Sequence, residues 1–348
     1  MINELRIQNF RGFASLELPD LKRVNLVVGQ NNSGKTSLLE AILLLCEPSR
    51  VGELPWLFRA QQGKPDTWFF RWLLRDGAKG EEGLLSAKAA TAEWVLRLSP
   101  PSHQTGVVTA EQDFIQNPVN PALPGAPDDV ITSRARGRLF YRGATFWLWG
   151  DANPKGKCRV ISIQNRDAKA LVTLVGKAHR KADGEETLQR LLTKVDPRIK
   201  KVRVDPGEEG KDDNQVIVDI GLSELVPVSQ AGQGVYRLVS ILADIIGEKP
   251  DVMLIDEVEN GLHHSIHEQI WTGLAETAEK LDVQIFATTH SEECLHAAHN
   301  AFLARKEYKE YDLSVIQLFR VESGVQGRVL DRELIEAGIG GNIDLRGL

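Results

Sequence analysis

Hydrophobic and polar positions alternate from the start of the chain: Leu5 and Ile7, then Leu16 and Leu18, stand among polar neighbours with period two. That pattern predicts two half-buried strands over Leu5 to Leu18, joined by a turn at Arg11-Gly12. Val24 to Val28 is an apolar run, which reads as a strand buried on both faces, and Ser37 to Cys46 follows with a helical period. The same buried-strand pattern returns at Val252 to Ile255 and at Gln284 to Thr289. The helical stretch Ser265 to Leu281 between them has the length of a return to a parallel sheet. Further strands are predicted over Thr91 to Leu98, Leu139 to Tyr141, Thr145 to Leu148, Arg159 to Ile163, Val202 to Val204 and Gln215 to Ile220. Ala168 to Val175, Glu185 to Val195 and Val235 to Ile246 read as helices. Leu313 to Val321 and Val325 to Asp331, joined across Ser323-Gly324, read as a small closing hairpin.

Two stretches break these periods. Pro48 to Gly83 is crowded with Trp56, Phe58, Trp68, Phe69, Phe70 and Trp72. Packing of a small lobe and stacking on bases both explain such aromatics, and packing is the commoner use. Ser99 to Asp129 carries six prolines and few periodic apolar positions, and it predicts a long irregular insertion. An acidic turn, Glu208 to Asp213, separates two of the strands. No internal repeat or long heptad run is present.

Composition narrows the class. With 348 residues and 42% hydrophobic content, the chain can bury one large core or two modest ones. No run of eighteen apolar residues suggests a membrane span, and the first residues lack a secretory h-region. Cys46, Cys158 and Cys294 are far apart in sequence and odd in number, as expected of reduced thiols in a cytoplasmic protein. The net charge of −6 is uneven: Arg134 to Arg203 holds 18 Lys+Arg against 6 Asp+Glu, leaving 24 basic and 42 acidic residues elsewhere. Such a span reads either as a polyanion-binding face or as a solvated lobe with scattered charge.

The chemistry begins at Gly29-Gln30-Asn31-Asn32-Ser33-Gly34-Lys35-Thr36, a full GxxxxGK[ST] match between a predicted strand and a predicted helix. Two glycines let the backbone of Gly29, Asn31, Asn32, Ser33, Gly34 and Ser37 fold around an anion, with the positive end of the helix dipole behind it. Lys35 would reach the β- and γ-phosphates of ATP, and Thr36 would ligate Mg²⁺. Val252 to Ile255 ends in Asp256 and Glu257, whose side chains leave a strand on opposite faces. Asp256 suits the metal, and Glu257 suits a general base for the attacking water. His290, at the end of the second strand, suits a hydrogen bond to the γ-phosphate.

Together these residues resemble the ABC-type ATPases, and most of all the RecF/SMC and overcoming-lysogenisation-defect (OLD) branch. Leu5 to Phe13, Gly29 to Ile42, Ile255 to His263 and Thr288 to Ser291 are similar to that branch's first strand, Walker A, Walker B plus D-loop, and switch histidine. The resemblance covers roughly the first 50 residues and those from about 185 to 300. It implies a mixed α/β fold with an antiparallel β lobe, a mostly parallel central sheet and flanking helices. Both ends of the chain would assemble that single domain, with residues 50–184 as an inserted aromatic, Pro-rich and basic lobe and residues 312–348 as a β-hairpin and tail. Pro227 to Gly234 stands where the branch carries its signature motif, which would make Ser229 and Gly232 phosphate contacts; a Gly-rich helix start with a Ser cap fits the same residues. Arg11 matches a nucleotide contact of some relatives and equally a turn residue. The Q-loop glutamine is open among Gln61, Gln62 and Gln164.

The resemblance implies a Mg-dependent ATPase that dimerises by sandwiching two ATP molecules. The implied setting is DNA repair or antiviral defence, as a regulatory or sensing subunit beside a separately encoded effector such as a Toprim-like nuclease. That nuclease domain is not expected within the chain, because only 48 residues follow Asn300 and no DxD occurs among them. The rival reading is a RecF-like DNA-binding clamp, with a transporter's ATPase subunit behind it. His263, His264 and His267 raise a zinc site, but there is no HExxH and the position matches the D-loop.

Overall fold

The computed structural model describes residues 1–59, 69, 72–75, 81–90, 92–99, 109–116, 131–135, 157–162, 167–207, 214–305, 311–341 and 343–347, with 109–116 and 131–135 as backbone. Among these, twelve strands form one sheet. From one edge they run Ile131–Ala135, Thr109–Gln116, Ala92–Ser99, Gly83–Ala89, Ile2–Phe10, Phe13–Leu18, Gly324–Leu330, Leu313–Val321, Val24–Val28, Gln284–Thr289, Val252–Ile255 and Cys158–Ile161. The last five are parallel to one another, and the first six pair antiparallel as a lobe. A separate three-stranded sheet joins Lys201–Asp205, Gln215–Asp219 and Val226–Pro227.

The parallel block is buried on both faces, which explains its unbroken apolar runs. Side-chain parity divides its residues between two cores. Leu26, Val28, Met253, Ile255, Ile285 and Ala287 point into one, and Val27, Val252, Leu254 and Phe286 into the other. The first core is covered by helices Ala168–His179, Gly184–Val195, Gln233–Glu248, His267–Leu281 and Glu292–Ala304. The second holds helix Lys35–Cys46, whose residues Leu38 to Cys46 are all buried. A helix apolar on every side belongs in an interior.

Three expectations change. The predicted irregular insertion Ser99 to Asp129 contains strand Thr109–Gln116, which extends the antiparallel lobe; its polar residues hid the pattern. The expected closing hairpin forms, and it lies inside the large sheet rather than standing as a separate unit. Leu313–Val321 pairs with Val24–Val28, while Val325 meets Phe13, so the hairpin joins the lobe to the parallel block. After it, helix Arg332–Gly340 begins at a side-chain cap, Asp331 accepting from the Leu334 N–H at 2.8 Å. In the aromatic segment Phe58 and Phe69 are buried, while Trp56 and Trp72 are exposed. The strands expected at 139–141 and 145–148, the acidic turn 208–213, and Trp68 and Phe70 lie outside the described residues.

The two ends of the chain are tied by one buried side chain. Gln284, at the start of its strand, accepts from the Ile2 N–H at 2.8 Å and donates to Ile2 O at 2.7 Å and Lys22 O at 2.9 Å. Cys46 and Cys158, distant in sequence, are neighbours in the second core, and burial pushes the Cys158 thiol well above its ordinary value. No helix among the described residues is long and apolar enough to cross a membrane.

Candidate active site

Three adjacent parallel strands deliver the predicted residues to one end of the sheet. Val28 pairs with Thr289, and Ile255 with Ala287, so the loop from Gly29, the Asp256-Glu257 pair and His290 leave neighbouring strand ends. Cys158–Ile161 completes the row, with the Asp256 N–H donating to Ile161 O at 2.8 Å.

The loop Gly29 to Gly34 is built for close backbone approach. A Cβ on Gly29 would stand 2.3 Å from Ser33 Oγ and 2.5 Å from Leu318 O, so only glycine fits. Asn32 and Gly34 both take left-handed conformations, φ 62° and 93°. Helix Lys35–Cys46 therefore opens without a side-chain cap, leaving its first N–H groups for an anion. Asn31 and Asn32 are exposed, and Thr36 and Ser37 occupy the first turn. Lys35 Nζ donates to Gly29 O at 2.7 Å and Gln30 O at 2.9 Å, folding over its own loop. Burial pushes this ammonium below the usual lysine range, against the opposing pull of the Asp256, Glu259 and Glu257 carboxylates. Those carboxylates lie more than 220 residues away in sequence.

The acidic pair is held from the switch strand. Thr288 Oγ1 donates to Asp256 Oδ1 at 2.7 Å and accepts the Glu257 N–H at 2.8 Å. Burial raises Asp256 above the ordinary aspartate range, with the Thr288 hydrogen bond opposing and Glu257 adding to the rise. Glu257 has a left-handed backbone, φ 48°, a strain that folded chains keep at functional positions. Asn260 Nδ2 reaches Glu257 Oε2 at 3.4 Å. His290 is half exposed; its N–H donates to Glu259 Oε1 at 3.0 Å, and its carbonyl accepts from Arg346 at 3.0 Å. One buried carboxylate beside a phosphate cradle fits Mg²⁺, which takes few protein oxygens and keeps phosphate and water ligands.

Solved structures with a similar fold include an SMC head bound to the C-winged helix domain of ScpA. It superposes with a TM-score of 0.54 at 12% identity, covering 95% of this chain and 98% of that one. An Smc head domain with an extended coiled coil, bound to the C-terminal domain of ScpA from Pyrococcus furiosus, gives 0.52 at 10% identity, covering 98% and 99%. The fold is that of an ABC-type P-loop ATPase. Two family models match this ATPase fold in sequence. The one described as "AAA domain, putative AbiEii toxin, Type IV TA system" covers residues 132–295, and "AAA ATPase domain" covers residues 1–93. Similar curated proteins include an ATP/GTP phosphatase of Helicobacter pylori, 23% identical over 328 residues, or 84% of this chain and 86% of that protein. The DNA replication and repair protein RecF of Bacillus thuringiensis is 43% identical over 44 residues, 13% of this chain and 12% of its own length.

In the segment expected to carry the signature motif, Val228 is buried while Ser229, Gln230, Gly232 and Gln233 are exposed. Gly232, φ 107°, precedes helix Gln233–Glu248 without a side-chain cap, a Cβ there would meet nothing within 4 Å, and Ser229 is exposed beside it. Ser229 is thus not the cap of that helix. Behind it, a Cβ on Gly234 would stand 2.7 Å from Gly261 O, so the signature and D-loop segments pack glycine against glycine. Arg11 is engaged elsewhere: it donates to buried Glu40 at 2.9 and 3.3 Å and to Trp72 O at 2.9 Å, and it stacks 4.9 Å from the Phe69 ring. Arg59 grips the same Glu40 at 2.8 and 2.9 Å. His263 Nδ1 is taken by Ser265, and no cluster of three metal-binding side chains occurs among the described residues.

Sequence reasoning passed over Thr288, Arg237, Glu259 and Arg346. Arg237 is buried on the signature helix, and its guanidinium donates to the Asp256 and Glu257 carbonyls. An arginine on the inward face of an apolar helix was the available signal. Part of the basic span is paired with acids from other elements where it is described. Lys157 and Lys177 pair with Glu248, Arg159 with Asp244, and Arg190 and Lys194 with Glu276.

Proposed function

We propose that this chain binds ATP with Mg²⁺ and hydrolyses it. The observation that carries this reading is the delivery of Lys35, Asp256, Glu257 and His290 to one end of the sheet by adjacent parallel strands. Lys35, with the N–H groups of Gly29 to Ser37, binds the phosphates, and Thr36 and Asp256 hold the metal. Bound Mg²⁺ neutralises charge that develops on the phosphates. Glu257, oriented by Asn260, takes the proton of the attacking water, and His290 holds the γ-phosphate. The candidate Q-loop glutamines Gln61, Gln62 and Gln164 all lie outside the described residues.

The signature loop offers a free helix N-terminus and no anion of its own. We infer that its Ser229 and Gly232 complete the nucleotide site of a second copy, so that two chains close on two ATP molecules. The match to a domain described as "putative AbiEii toxin, Type IV TA system" supports a defence setting, in which we read the chain as a regulatory or sensing subunit acting with a separate effector. The OLD-like motif order supports the same setting. A DNA-binding clamp like RecF is the second reading, favoured by the 44-residue match to RecF. The basic span bears on it only in part, because Lys157, Lys177 and Arg190 are paired within the chain. ATP turnover with Mg²⁺ and an ATP-dependent dimer test the first reading. Salt-sensitive duplex binding strengthened by ATP tests the second.

A further inference from the structure

We propose that Glu259 is a positioning residue for His290, an inference that rests on the γ-phosphate role given to His290 above. Glu259 lies in the turn three residues past Asp256, with its side chain 10% exposed against 50% for His290. Its Oε1 accepts the His290 N–H at 3.0 Å and stands 3.4 Å from His290 Nδ1. Its Oε2 is buried and has no hydrogen-bond partner.

Two physical consequences follow. A half-exposed imidazole on a flexible χ1 has several rotamers open to it. A carboxylate facing Nδ1 selects among them, and it presents Nε2, at the opposite side of the ring, away from the protein. The peptide cannot drift either, because Glu259 holds the N–H of His290 and Arg346 holds its carbonyl. The ring is therefore placed before nucleotide arrives, which removes an ordering cost from the loaded state. The orphaned Oε2 is the second observation. A buried carboxylate oxygen without a partner is costly, and folded chains keep one where a further group completes it. Glu259 is also among the carboxylates whose charge acts on Lys35. A hydrogen donor of the loaded site, Lys35 or a water on the phosphate, would complete it.

The test is Mg-ATP turnover by the full chain as Glu259→Gln, Glu259→Ala, His290→Ala and the Glu259→Ala/His290→Ala double variant. Glu259→Ala should lower kcat by about tenfold or more with KM for ATP within roughly threefold of the parent. Glu259→Gln keeps an acceptor for the His290 N–H and should fall between. The double variant should be no slower than His290→Ala alone, since both act through one ring. Parent kcat in Glu259→Ala overturns the proposal, as does a double variant that loses the product of the two factors. If Glu259→Ala does not fold, parent kcat in Glu259→Gln overturns it. If His290→Ala turns over ATP like the parent, the reading of His290 falls and this proposal with it. A slow His290→Ala beside an unaffected Glu259 variant removes this proposal alone.

Discussion

Thr288 Oγ1 donates to Asp256 Oδ1 at 2.7 Å, so the strand that ends in His290 also holds the carboxylate assigned to the metal. The same hydroxyl accepts the Glu257 N–H, which makes one oxygen the hinge between two candidate catalytic segments. Thr288→Val keeps the shape and removes both bonds. It leaves the partly buried Glu257 N–H and Asp256 oxygen without this partner, at up to about 1–3 kcal/mol each. A lowered urea midpoint and slower turnover are expected, with Thr288→Ser restoring both. An unchanged midpoint and rate in Thr288→Val would show that the bond does nothing for the site.

Glu257→Gln separates binding from chemistry. The amide cannot accept the proton of the attacking water, so ATP should bind as in the parent and persist unhydrolysed. With ATP trapped, the closed dimer should accumulate, read as a doubled mass by light scattering with ATP and a monomer without it. Turnover at the parent rate would remove Glu257 as the base.

Glu40 has no exposed surface and holds two guanidinium groups, Arg11 and Arg59. Removing one partner of a buried ionic network leaves the others uncompensated, so Glu40→Ala should cost about 3–5 kcal/mol in chemical denaturation. A loss below about 1 kcal/mol would mean that water replaces the carboxylate.

Acid should weaken the fold through two glutamates. Burial would raise Glu248, yet its hydrogen bonds from Lys157 and Lys177 hold it down at about 2. Burial likewise opposes Lys280, Lys194 and Arg190 at Glu276, which is also held at about 2. A depressed folded value stabilises above the ordinary glutamate value of 4.5 and is lost as pH falls towards 2. Glu248→Gln and Glu276→Gln should therefore lower the urea midpoint at neutral pH, and the gap to the parent should close on acidification through that window. A gap that stays constant with pH would assign the loss to packing.

The candidate nucleotide site was legible because its parts are local motifs at the ends of buried strands. Gly29 to Thr36, Asp256-Glu257 and His290 each carry a chemical signature in a few residues, and apolar runs announced the strands beneath them. Thr288, Glu259 and Arg346 were not legible as site residues. Their roles arise from pairing across strands and from a tail folded back on His290, and no local spacing encodes either. The central place of Leu313–Val321 was hidden for a related reason: a hairpin pattern shows that two strands pair with each other, not which strands flank them. Part of the charge of Arg134 to Arg203 is met by Asp244, Glu248 and Glu276 on later helices, a pairing that no local spacing shows.

The account depends most on Lys35 and the distant carboxylates meeting at one triphosphate. Its most direct measurement is equilibrium binding of ATP with Mg²⁺, alongside phosphate release, for the parent and a folded Lys35→Ala variant. The account predicts that the parent binds and turns over ATP and that Lys35→Ala loses at least about tenfold in affinity with its melting temperature kept. A parent that neither binds nor hydrolyses ATP, or a Lys35→Ala variant that binds it equally well, would contradict it.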